Sequence, residues 1–133
     1  KFLFPICALA AAITVMLGAL GSHALKSMLQ PNQLTSFETA VRYQLFHLLA
    51  RLFTCVMSFH FTKVSFKWVI RLFSVGIVLF SGSIYLIIYF QYHLIDLPRG
   101  LVILTPLGGI SLTAGWIVMA GILYKASTQK VEN

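Results

Sequence analysis

Tyr43-Gln-Leu-Phe-His-Leu-Leu-Ala-Arg-Leu-Phe-Thr-Cys-Val-Met-Ser58 is the stretch on which the reading of this chain turns. Its polar members, Gln44, His47, Arg51, Thr54 and Ser58, follow one another at intervals of three, four, three and four residues. That spacing belongs to an α-helix, on which all five project into one narrow sector, with Tyr43 beside it. The remaining residues suit hydrocarbon, where a charge at a helix centre costs about 2.5–3.5 kcal/mol on insertion scales. A stripe of this kind must face other protein, water or a bound ligand.

Composition sets the surroundings of that helix. The chain has 133 residues, of which 59% are hydrophobic and 10% charged, with a mean hydropathy of +0.89. Soluble domains carry about 25% charged residues, and so short a chain has no interior large enough to hide this much apolar surface. The reading is an integral membrane protein forming a single transmembrane domain over residues 1–133. Ten Lys and Arg against three acids give a net charge of +7. The cations gather at the ends of apolar runs, as membrane anchors do, and no motif for nucleic acid accompanies them. Cys7 and Cys55 lie inside apolar runs without metal-ligand or CxxC spacing and read as buried thiols. No spacing suggests a metal site, and no cofactor is implied.

Four apolar segments are long enough to cross a ~30 Å core. They cover residues 2–21, 36–61, 68–92 and 101–124, the last with a helix break expected around 105–109 or a continuous helix bent at Pro106. The expected fold is all-α: an integral membrane bundle of four transmembrane helices, antiparallel and up-down. The first segment imitates a secretory signal peptide, but its apolar run is long enough to span, and it is read as a retained helix. Lys1, Lys63, Lys67, Arg71, Lys125 and Lys130 fall on one side of such a bundle, against Lys26 and Arg99 on the other. The positive-inside rule then places both termini in the cytoplasm, and the expected location is a bacterial cytoplasmic membrane. Thr35 or Ser36 is the expected cap of the second helix, with Glu38 completing a capping box.

Three readings of the stripe stay open. Gln44 and His47 could lock the helices together by hydrogen bonds. The stripe could line a cavity holding a lipid headgroup or small amphipathic ligand, with Arg51 as a fixed cation. Or His47, with His23 at the end of the first helix, could carry a proton in an intramembrane enzyme or proton-coupled carrier. Neither of the histidines is assigned a catalytic role by spacing alone. Arg51 has no carboxylate on another helix, because the three acids, Glu38, Asp96 and Glu132, lie at segment ends or in loops. Backbone carbonyls, water, a lipid phosphate or a neighbouring subunit must therefore serve it, and the expected partners are membrane lipid, a second copy of the chain or a larger membrane complex.

Four motifs occur in order: Gly18-Ala-Leu-Gly-Ser-His-Ala-Leu-Lys26, Phe37-Glu-Thr-Ala-Val-Arg-Tyr-Gln-Leu-Phe-His47, Leu79-Phe-Ser-Gly-Ser-Ile-Tyr85 and Thr105-Pro-Leu-Gly-Gly109 followed by Gly115-Trp116. Together they resemble the DUF423 (transmembrane protein 256) family of small membrane proteins. The resemblance covers nearly the whole chain and implies a four-helix membrane protein without implying an activity. It singles out His23, Tyr43, Gln44, His47, Ser81, Gly82, Ser83, Thr105, Pro106, Gly108 and Gly109. Arg51 departs from the family pattern, which is apolar there. The leading expectation is a non-enzymatic protein that binds lipid or an amphipathic ligand where these motifs meet, or that serves as an accessory subunit.

Overall fold

A computed structural model describes residues 3–131, with side chains described to residue 128. Lys1 and the side chain of Lys130, two of the cations used to orient the chain, lie outside the described residues. Four long helices account for nearly all of it: α1, Leu3–Ser22; α2, Pro31–His60; α3, Lys67–Tyr92; and α4, Arg99–Val131. A short 3-10 turn, Leu25–Ser27, follows α1. Three of the helices, α1, α3 and α4, are long and apolar enough to cross a membrane. The polar stripe and the polar first turns of α2 keep that helix out of the set.

The helices pack in antiparallel succession. Thr14 of α1 meets Gln44 of α2, Ser81 of α3 meets Ala40 of α2, and Ser111 of α4 meets Leu72 of α3. One end of the bundle, the loop end, thus holds the α1–α2 and α3–α4 connections. Helix α1 rests chiefly on α2. It buries Cys7, Thr14 and Gly21, one small residue every seventh position, and this line of small side chains lets α2 approach. Its large side chains, Ile6, Leu9, Ile13, Val15, Met16 and Leu20, point away and are exposed, as suits a face turned to lipid.

The tightest contact lies between α3 and α4. Phe66, Val69, Phe73, Leu112 and Met119, joined by Ala50 of α2, form the core. At Gly108 the two backbones nearly touch, so that a Cβ there would lie 2.7 Å from Phe80 Cα and closer still to its amide nitrogen. No other residue fits that position. Opposite it, Val78–Gly82 forms a single wide π-turn within α3. Such a turn takes in one extra residue and is found mostly as an isolated bulge.

The start of α2 differs from the sequence reading, and the alternative left open at Pro106 is settled. Helix α2 starts five residues before Ser36, because Pro31 is pre-set for the first helical position and the Gln33 side chain accepts the Gln30 amide at 3.0 Å. Thr35 and Ser36 do not cap; their hydroxyls donate to Pro31 and Asn32 carbonyls inside the helix. Helix α4 runs unbroken through Pro106, which lies only seven residues past Arg99, so of the two alternatives the continuous helix is observed. Helix α3 ends in a Schellman motif, Ile95 N–H to Phe90 O and Leu94 N–H to Gln91 O, with Leu94 in the left-handed region at φ 54°.

Candidate functional site

The polar sector of α2 is built as a ladder of hydrogen bonds to the other three helices. Gln44 stands at its centre. Its Nε2 donates to Thr14 Oγ1 of α1 at 2.7 Å, and its Oε1 accepts from the Tyr85 hydroxyl of α3 at 3.0 Å. One amide thus ties three helices. Thr14 in turn donates to the Ala10 carbonyl, so its single hydrogen and one lone pair are both used.

One turn further, His47 is buried and has both ring nitrogens occupied. Nδ1 lies 2.8 Å from the Tyr43 carbonyl, and Nε2 accepts the indole N–H of Trp116 at 3.1 Å. Acceptance at Nε2 requires the tautomer with its proton on Nδ1, which then donates to Tyr43 O. The imidazole is neutral in this arrangement, with no free position. Phe73 and Trp116 meet it edge-on, with ring centroids 5.6 and 6.2 Å away. Tyr43, half exposed, stacks on Phe80 at 4.7 Å.

The small residues of α3 and α4 extend the ladder toward the loop end. Ser81 donates to the Ala40 carbonyl at 2.8 Å, and Ser83 shares a 2.6 Å hydrogen bond with Thr105. Gly108 admits the Phe80 backbone, while a Cβ added at Gly109 would reach the Phe80 ring only at an ordinary contact distance of 3.8 Å. Gln44, His47, Ser81, Ser83, Thr105 and Gly108 are therefore brought together as packing and hydrogen-bonding elements.

His23 stands apart. It is exposed just past the end of α1, whereas Thr14 marks the level of Gln44. Nine residues beyond Thr14, plus the turn from Gln44 to His47 in the opposite direction, separate the two histidines by about 18 Å along the bundle. The motif on α1 meets the one on α2 at its start, with Gly21 against the Phe37 ring, but the expected convergence of His23 with Tyr43–His47 does not occur, because α1 runs on past that level.

Arg51 is the exception within the sector. Its Nε is buried and meets no hydrogen-bond partner among the described residues. Glu38 lies 13 positions earlier on α2, about 20 Å along the axis, and Asp96 lies in the connection at the loop end. Beyond Arg51, Thr54 and Ser58 bond back to the Ala50 and Cys55 carbonyls at 2.7 Å each. Three partners went unnoticed in the sequence: Thr14, Tyr85 and Trp116. Thr14 is the sole hydroxyl in the first apolar run, which is a usable signal. Tyr85 and Trp116 lie inside the motifs, but Trp116 reads as filler until its indole is seen to reach His47.

Fold and site together define a class, the small helical membrane protein whose helices are tied by buried side-chain hydrogen bonds. Within that class the chain belongs to the DUF423 family, whose model, described as a protein of unknown function, matches residues 17–109. A UPF0382 membrane protein of Staphylococcus aureus is 32% identical over 94% of this chain and 97% of its own length. The UPF0382 inner membrane protein YgdD of Escherichia coli K12 is 33% identical over 90% of this chain and 86% of its own. A UPF0382 membrane protein of Schizosaccharomyces pombe reaches 39% over 88% and 97%. No solved structure matches the chain.

Proposed function

We propose that the protein crosses the cytoplasmic membrane four times with both termini inside, and that it works by binding, with Arg51 holding the phosphate of an anionic lipid. The observation that carries this is the desolvated, unpartnered Arg51 Nε within a sector whose other polar side chains are hydrogen-bonded. A guanidinium whose Nε is shut away without a partner has lost a hydrogen bond that water would supply, and a phosphate matches the fork of donors it presents. The α2–α3 connection supports an anionic lipid at that end, since Lys63 and Lys67 are exposed there and Arg71 lies over the Trp68 ring at 5.2 Å.

Depth is consistent with this role. Arg51 precedes His60, the end of α2, by nine residues, about 14 Å. A headgroup reaches such a cation through local thinning of the bilayer. Thr54 and Ser58 continue the polar sector from Arg51 to the cytoplasmic end. The inner-membrane name of the Escherichia coli relative supports the location. The α2 span, although less apolar than the others, has 30 residues and so covers about 45 Å, more than a ~30 Å core.

Native mass spectrometry from nanodiscs containing phosphatidylglycerol and a zwitterionic lipid tests the reading. Wild type should retain phosphatidylglycerol, and Arg51→Met should lose at least about ten-fold of that retention, the loss of a charge-assisted pair worth about 1.5–3 kcal/mol. Equal retention by both proteins would overturn it.

A further inference from the structure

A groove of about 450 Å³ opens at the loop end between the first turns of α2 and α4 and the last turns of α3. It is separate from Arg51, Gln44 and His47, and shares Thr39, Ile84 and Thr105 with the family motifs. No ionised side chain lines it. One wall is polar, mostly from α2 with Gln91 of α3 and Thr105 of α4; the other is aliphatic, with Ile84, Ile87 and Ile88 of α3. Its size is that of an ordinary small-ligand site.

The polar wall has a definite donor and acceptor pattern. Thr35, Ser36 and Thr39 spend their hydroxyl hydrogens on the carbonyls four residues back, each at 2.9 Å. Three hydroxyl oxygens therefore offer only lone pairs. The amides are committed the other way. Asn32 Oδ1 accepts the Gln33 backbone N–H at 2.8 Å, and Gln91 Oε1 accepts from Gln33 Nε2 at 3.4 Å. This leaves the NH2 groups of Asn32 and Gln91 uncommitted among the described residues.

A carboxylate or phosphate, which only accepts, would meet the two amides and face three sets of lone pairs. An ammonium, which only donates, would leave both amides idle. A hydroxyl does both. We infer that the groove binds an uncharged amphiphile whose head carries neighbouring hydroxyls, with its chain against the isoleucines. The position suits this, since the polar first turns of α2 stand where a helix longer than the hydrocarbon core emerges among headgroups.

The probes are monooleoylglycerol, oleic acid and oleylamine, which share one chain and differ in the head. Each is offered at equal mole fraction to the protein in nanodiscs, and retention is read by native mass spectrometry. Monooleoylglycerol should be retained at least ten-fold better than either of the others. The double variant Thr35→Val/Thr39→Val removes two acceptors at nearly constant shape and should lose at least ten-fold of that retention with an unchanged melting transition. Ile87→Trp, which fills the aliphatic wall from another helix, should do the same if the double variant folds poorly. Equal retention of the acid or the amine overturns the inference. So does full monooleoylglycerol retention by the variants, or a two-copy species that closes the groove.

Discussion

The two halves of the α2 polar sector solve the same problem in opposite ways. In the half nearer the loop end, Gln44 and His47 put polar atoms into an apolar bundle and have them met within the chain, by Thr14, Tyr85, Trp116 and the Tyr43 carbonyl. One turn on, Arg51 brings a stronger demand and its Nε goes unmet among the described residues. Spacing and helix are the same, so the difference lies in what the neighbouring helices offer. Opposite Gln44 stand a hydroxyl and a phenol; no side chain among the described residues meets the Arg51 Nε. A satisfied polar group holds structure, and an unsatisfied one asks for a ligand.

Substitutions can break this contrast, and they rank by what they orphan. His47→Ala should cost most, about 2–4 kcal/mol in a detergent unfolding titration, because it opens a cavity among rings and strands the Trp116 indole N–H. A loss under about 0.5 kcal/mol would remove His47 from the structural half. Gln44→Leu comes next. Intramembrane hydrogen bonds average about 0.6 kcal/mol and reach about 1.7, so losing two should destabilise by about 1–2 kcal/mol. The matching loss from Tyr85→Phe should be smaller in wild type and vanish in the Gln44→Leu background, as a double-mutant cycle would record. Arg51→Met should be the mildest: neutral within about 0.5 kcal/mol, or stabilising, because it removes a half-buried cation whose Nε has no partner among the described residues. A clear destabilisation by Arg51→Met in lipid-free detergent would mean that the chain itself satisfies the guanidinium, and the contrast would collapse.

Much of the architecture was legible, because an apolar run of about 20 residues has few alternatives to a membrane helix. The polar sector was legible for an equally simple reason, the three-and-four spacing from Gln44 to Ser58. Its partners were not. Spacing along one helix carries no information about the height at which Thr14 or Trp116 of another will stand. The start of α2 is hidden in the sequence because Thr35 and Ser36 look like caps, while the Gln30–Gln33 capping pair that operates, with Pro31 between them, is a weaker pattern. The groove beside Thr35 was invisible too, since its character depends on where each hydroxyl hydrogen goes. Gly108 was read as a motif glycine. Only the Phe80 backbone against it explains why a glycine is required.

The π-turn at Val78–Gly82 means that α3 holds one residue more than a regular helix of its length would need. Were the same residues wound regularly, without this wide turn, everything beyond it would be carried about 100° further round. Ser83 would leave Thr105 and Tyr85 would leave Gln44, although no contact residue had been changed. The loop-end half of α3 is thus indexed to the rest of the bundle by a count, and that count is set in one turn.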